Sequence, residues 1–268
     1  MTQFRIGALR DLYHQLLYDM FQSSVSTEEK IPSRAELLFD TAPAHIERLM
    51  NNELDAAFIN PIDFALNSSD LVVYPAVCAA TSGMSDIVRL YLREKIKTIS
   101  SLAVNTTSAS EVVLARIVLT EKYEAAPSIV PVAGDIPSML KTSDSALTVG
   151  DDVLKTKWNG PFIDVVDEWT DITELPFVHT LCVSRNDKFI PELNALLAES
   201  LAQGKNNVTK VALSASAKIG IAADDLLDYY SSISYTFNEE LHAGLDEFFR
   251  MAFYQGMLSD IPEVSFGE

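Results

Sequence analysis

Ser145-Ala-Leu-Thr-Val-Gly-Asp-Asp-Val-Leu154, followed by a tryptophan-bearing segment and then Leu175-Pro-Phe-Val-His-Thr-Leu-Cys-Val183, decides how this chain reads. The first run is a short β-rich stretch that closes on Gly150 and Asp151, a flexible backbone and a carboxylate at a strand end. Open α/β sheets take their ligands at strand ends, so a small-molecule site is expected there. The second run reads as a strand that returns the chain from one lobe to another.

Upstream, residues 4–9, 35–40 and 56–60 are strand-like and alternate with helical stretches at 14–22 and 44–51. This is the alternation of a sheet with crossover helices. Residues 71–80 and 86–93 form a strand-rich passage around the turn Thr81-Ser-Gly-Met84, and the second of these strands reads as the first crossing between lobes. A second, smaller sheet is expected from 101–106, 128–132 and 146–149, with an amphipathic helix over 108–123. Beyond Arg185 the pattern is helical, near 191–203, 207–218, 223–231 and 238–255. The fold class expected is α/β: two lobes joined by two strands, the layout of a type II periplasmic-binding-protein-like fold. Its helical C-terminal tail is expected to pack on the first lobe. The main lobe is placed at residues 1–88 plus 182–268 and the inserted lobe at 89–181.

The 268 residues, 48% of them hydrophobic, are enough to bury a sizeable core. A formal net charge of -18 argues against binding nucleic acid through phosphate neutralisation. It leaves room for an anionic ligand, because helix N-termini or one arginine act locally while remote charges are screened. The N-terminus lacks the features of a secretory signal, so a cytoplasmic location is expected. No apolar run approaches the roughly 20 residues of a membrane span. Cys78 and Cys182 sit apart in apolar runs and read as reduced core residues.

Several side chains could carry chemistry. Val104-Asn-Thr-Thr-Ser-Ala-Ser-Glu111 leads from a strand into a helix, gathering Thr107, Ser108 and Ser110 with unpaired amides at an end that attracts carboxylates. Ser108 or Ser110 could equally act as a plain helix cap. In Asp86-Ile-Val-Arg-Leu-Tyr-Leu92, alternation puts Ile87, Arg89 and Tyr91 on one face and Asp86 on the other. Arg89 there offers a bidentate partner for a carboxylate, or else an ion pair with Glu94 or Asp86. Arg10 and Asn60 follow the first and third strands, and Asn60 could instead begin an Asn-Pro turn. His14, His45, His179 and His242 lack metal-ligand spacing, and His179 reads as packed or hinge-related. G-x-S-x-G, P-loop, G-x-G-x-x-G and Cys-x-x-Cys motifs are absent from the sequence. The cleft is therefore expected to be lined by Arg10, Asn60, Arg89, Thr107, Ser108, Ser110, Gly150 and Asp151.

Arg5-Ile-Gly7, Glu53-Leu-Asp-Ala-Ala57, the Ser82-Gly83 turn, Leu114-Ala-Arg-Ile-Val-Leu119, Ala146-Leu-Thr-Val-Gly-Asp151, Glu168-Trp169 with Thr173, Leu175-Pro-Phe-Val178, Tyr235, Gly244-Leu245 and Phe248 follow one another along most of the chain. In these the chain resembles the chorismate dehydratase family of the futalosine route to menaquinone, which includes the related dihydroxynaphthoate synthase. The resemblance implies a two-lobed fold and a dehydration of chorismate to 3-[(1-carboxyvinyl)oxy]benzoate without metal or other cofactor. It also implies a small carboxylate ligand as partner, for a monomer or homodimer. The chain departs from the family where Asp11-Leu-Tyr13 stands for Tyr-Leu-Asn, where Ile87 stands for a serine, and where Ser110-Glu111 stands for Thr-Ser. Glu111 at a carboxylate-binding helix end would repel such a ligand unless it points away or is protonated. Two readings follow: a dehydratase or related lyase in which Arg10 and Arg89 replace lost contacts, and a non-catalytic binding module on the same scaffold.

Overall fold

A computed structural model describes residues 3–23, 34–106 and 108–267. In chain order the elements are β1 (Phe4–Ala8), α1 (Gln15–Ser23), β2 (Ala35–Phe39), α2 (Ala42–Met50), β3 (Ala56–Ile59), α3 (Pro61–Ala65), β4 (Leu71–Thr81), β5 (Val88–Leu92) and β6 (Ser101–Val104). They continue with α4 (Ala109–Tyr123), β7 (Ser128–Pro131), α5 (Ile136–Thr142), β8 (Ser145–Val149), α6 (Asp151–Lys155), β9 (Phe162–Asp164), α7 (Val165–Thr173) and β10 (Phe177–Arg185). The helices α8 (Pro191–Asn206), α9 (Val208–Ile219), α10 (Ala223–Ser231) and α11 (Glu239–Tyr254) close the chain.

The chain divides into two compact units. The first comprises Met1–Ala80, Val178–Glu239 and Pro262–Glu268, and its sheet has the order β2-β1-β3-β10-β4. β1 runs parallel to β2, with Phe4 opposite Ala35, and parallel to β3, with Ile6 opposite Ala56; β10 is antiparallel to β3. The apolar runs make this possible, since strands buried on both faces read as continuous hydrophobic stretches. In β3 all four residues are buried. His45 of α2 lies over the sheet, its ring nitrogens 3.1 Å from the Phe58 carbonyl and 3.3 Å from that of Leu38. Gly7 leaves room for it: a Cβ there would come within 2.8 Å of the imidazole.

The second unit comprises Thr81–Phe177 and Glu240–Ile261, with sheet order β7-β6-β8-β5-β9. β6 is parallel to β7 and β8, and β5 is antiparallel to β8 and β9. Both edges of β5 are thus used inside this sheet. The expectation that residues 86–93 cross between lobes is corrected: the chain enters the second unit at the end of β4 and leaves it at the start of β10.

The helical tail also divides. Helices α8, α9 and α10 belong to the first unit, whereas α11 belongs to the second, contrary to the expectation of a tail packed wholly on the first lobe. The physical reason is aromatic. Phe248 of α11 meets Trp169 of α7 edge-on at 6.2 Å between ring centroids and Phe177 at 5.1 Å, and Gly244 lets the helix backbone approach Pro176. Cys78 and Cys182 are buried free thiols, and burial pushes Cys78 up to about 12. Among the described residues, no helix is long and apolar enough to cross a membrane.

Candidate functional site

In the first unit the parallel strands β1 and β3 lie side by side, so the residues that follow them share one edge of the sheet. Arg10 is exposed there, with its guanidinium 5.1 Å from the centroid of Phe39. Asn60 is buried, 7% exposed, at the cap position of α3, where Pro61 supplies the fixed φ of a first helical residue.

Behind this edge sits a group that the sequence reading did not assemble. His14, which ends a short 3-10 turn, is fully buried and its Nε2 lies 2.9 Å from Thr180 Oγ1. The Tyr13 ring stands 4.0 Å from that of His14 and 5.9 Å from that of His179. Burial, with a smaller contribution from His179, lowers His14 to about 3, so its imidazole is neutral at neutral pH. Tyr18 Oη accepts from the amide of Leu9 at 3.1 Å, tying α1 to the end of β1. A polar residue in the apolar run 177–183 was the available signal.

In the second unit, β6 and β8 are parallel neighbours, so the starts of α4 and α6 share an edge with the beginning of β5. Arg89, Ser108, Ser110, Gly150 and Asp151 all lie along it. Arg89, opposite Thr148, is 14% exposed at its side chain and ion-paired with Asp86, and its guanidinium lies 4.4 Å from the Phe162 centroid. The expected opposition of Asp86 and Arg89 across the strand does not hold. β5 starts at Val88, and Asp86 precedes it at φ 53°, a left-handed turn that swings the carboxylate onto Arg89.

Gly150 adopts φ 71° and donates its amide to the Ile87 carbonyl at 2.8 Å. Its conformation favours glycine and turns the chain from β8 into α6, placing Asp151 first in that helix. Ser110 is fully buried. The Ser108 hydroxyl donates to the Glu111 carboxylate, itself 1% exposed, so the glutamate folds back on the helix start, while the Ser108 amide donates to Thr106 Oγ1 at 3.0 Å. Thr107 lies outside the described residues. Among those described, no group of three or more His, Cys, Asp or Glu is arranged to hold a metal ion.

Asp164 anchors the approach to β5. Its carboxylate, 5% exposed, accepts from the amides of Ser85, Asp86, Val166 and Asp167 at 3.0–3.2 Å and from the Ser85 hydroxyl at 3.2 Å. Burial nonetheless raises its pKa. Asp164→Asn is expected to cost about 2 kcal/mol, because the amide turns an NH2 towards these donors. An unchanged thermal midpoint would show that they are satisfied elsewhere.

Two α/β sheets whose polar residues gather at strand ends define the class of the fold, and solved structures share it. Protein AF1704 from Archaeoglobus fulgidus matches with a TM-score of 0.73 at 17% identity, over 96% of this chain and 98% of that one. The periplasmic aliphatic sulphonate binding protein SsuA from Escherichia coli matches at 0.65 and 14% identity, over 99% and 94%. An ABC transporter structure from Parabacteroides distasonis matches at 0.70 and 15% identity, over 100% and 99%. The fold is therefore the periplasmic-binding-protein-like fold. A family model described as menaquinone biosynthesis matches residues 4–254, and the chain belongs to that menaquinone-biosynthesis family. A role in menaquinone biosynthesis follows.

Proposed function

We propose that the protein is a carbon–oxygen lyase that dehydrates chorismate to 3-[(1-carboxyvinyl)oxy]benzoate, or acts likewise on a closely related cyclic acid. The observation that carries this reading is the family match over residues 4–254. In the reaction a ring carbon loses a proton and its neighbour loses hydroxide. The electrons of the broken C–H bond form the new C=C bond, water leaves, and the ring becomes aromatic. The protein's work is to hold two carboxylates, exclude bulk water and align the departing groups.

Arg10, Asn60, Arg89, Thr107, Ser108, Ser110, Gly150 and Asp151 are the residues proposed to meet the substrate. Arg89 is the best cation among them, because its guanidinium is held by Asp86 and Phe162 and keeps further donors for a carboxylate. Arg89→Ala is expected to weaken chorismate binding roughly tenfold or more with the fold intact, in line with the 1.5–3 kcal/mol of a charge-assisted hydrogen bond. Unchanged affinity would remove Arg89 from the site.

A second reading, a non-catalytic carboxylate-binding protein, is favoured by one observation: Glu111 already occupies the start of α4 with Ser108. Incubation with chorismate, with product followed by chromatography and ligand binding by thermal shift, separates the two. Product supports the lyase. A shift without product supports the binder, and neither signal would sink both.

A further inference from the structure

The second unit contains a pocket of about 330 Å³ at the same edge of its sheet, where Asn105 follows β6 and Thr148 and Val149 end β8. Its volume falls within the roughly 300–1,000 Å³ of small-molecule sites. The floor is apolar. Met139 and Leu147 line it and are buried, and Met139 belongs to a core cluster with Tyr91, Ile136 and Ala146.

Trp158 forms one wall and is pinned at three points. Its Nε1 donates to the Pro161 carbonyl at 3.2 Å, its ring meets Tyr91 edge-on at 5.5 Å, and Gly160 packs so closely that a Cβ there would come within 2.8 Å of the indole. The side chain is still only half-buried. A large ring held rigidly with a surface left open is a stacking platform whose ordering cost has already been met in the folded state.

The charged groups of the lining differ in their commitments. Asp135 accepts from the Ser138 amide at 3.0 Å as the cap of α5, and Asp152 and Lys155 pair at 3.7 Å. Lys157, next to the tryptophan, is exposed and makes no ion pair among the described residues. One uncommitted cation beside an apolar floor and an aromatic wall selects a flat molecule with a negative end.

We propose that this pocket is a binding subsite for a cyclic or aromatic carboxylate, with the ring against Trp158 and the Met139–Leu147 floor and the carboxylate at Lys157. The assignment deepens the reading of the protein as one that takes a cyclic acid, and in that sense rests on it. Lys157 and Trp158 are thereby the residues that set ring and charge specificity.

The chain carries its own reporter, since it has two tryptophans and the other, Trp169, is fully buried. Titration with benzoate, followed by tryptophan emission at constant ionic strength, is expected to give a saturable change. Trp158→Phe should abolish the change and Lys157→Ala should raise the Kd three- to tenfold. Gly160→Ala should weaken binding by displacing the indole. Benzyl alcohol, the same ring without the charge, should bind at least threefold more weakly than benzoate. No saturable change with the wild-type protein, a change that survives Trp158→Phe, or equal affinity for benzyl alcohol would each overturn the proposal. The outcome separates from that of the reaction itself. If chorismate is dehydrated but benzoate does not saturate, the subsite falls and the lyase stands; saturation by benzoate without product from chorismate leaves the subsite and removes the lyase.

Discussion

Lowering the pH from 7 to 4.5 should cost the protein roughly 2–3 kcal/mol of folding stability through His14 alone, at about 1.4 kcal/mol per pH unit. His14 is fully buried among Tyr13, Tyr18, Phe58 and Thr180, near His179, and its pKa falls from 6.5 to about 3. The unfolded chain binds this proton below 6.5 while the native state refuses it. The stabilisation is therefore fully present above 6.5 and is lost as pH falls towards 3. His45, also lowered by burial, acts with the same sign. Asp164 opposes them: its raised native pKa adds stability as the pH falls through that value towards 3.8. Asp135 and Asp144 are lowered from 3.8, so their losses come mainly as the pH falls below 3.8, overlapping only the acid end of the His14 window. Urea unfolding at pH 7.0, 5.5 and 4.5 measures the slope. In His14→Gln, whose amide can still meet Thr180 but does not titrate, the slope should flatten by about one proton. An equal slope in both proteins would place the acid sensitivity elsewhere.

Gly204→Ala should destabilise by about 3 kcal/mol or more, lowering the thermal midpoint by roughly 6–12 °C. In an open helix the same change would stabilise, because alanine is the better helix former by roughly 1 kcal/mol. Here α8 packs on α1 so closely that a Cβ at 204 would lie 2.0 Å from the Leu16 carbonyl oxygen. That obstacle is backbone and cannot rotate away. One helix must move, and the movement would strain the Ser200 hydroxyl bond to the Leu17 carbonyl at 2.8 Å and the Asn207 bond to Asp19 at 2.7 Å. Differential scanning calorimetry checks the value; a midpoint equal to or above that of the wild-type protein would show that the two helices can separate freely.

The main strands were legible because each is an apolar run with turn residues at its ends. The observed β4 spans Leu71–Thr81 against the expected 71–80, and α4 spans Ala109–Tyr123 against 108–123. Helices α3, α5 and α6 were not, since five to seven residues carry too few turns to display a 3.6-residue period, and α7, nine residues long like α1 and α2, was missed as well. The face of Asp86 was misread because strand alternation presumes extended backbone, and φ 53° breaks it. His14 stayed hidden for another reason: its hydrogen-bond partner is 166 positions away. Nothing in the apolar stripe of α11 names the unit it will cover; the contacts of Phe248 with Trp169 and Phe177 and of Gly244 with Pro176 decide it.

The split of the second unit between Thr81–Phe177 and Glu240–Ile261 has a consequence for the order in which the protein is made. On the ribosome, residues 81–177 emerge with the Trp169 and Phe177 rings lacking the cover that Phe248 gives them in the finished protein. Completion of that core must wait until synthesis has passed Phe248, after β10, α8, α9 and α10 have all been made. Helix α11 thus works as a late closing piece, and a nascent chain stalled before it would present an aromatic surface to chaperones.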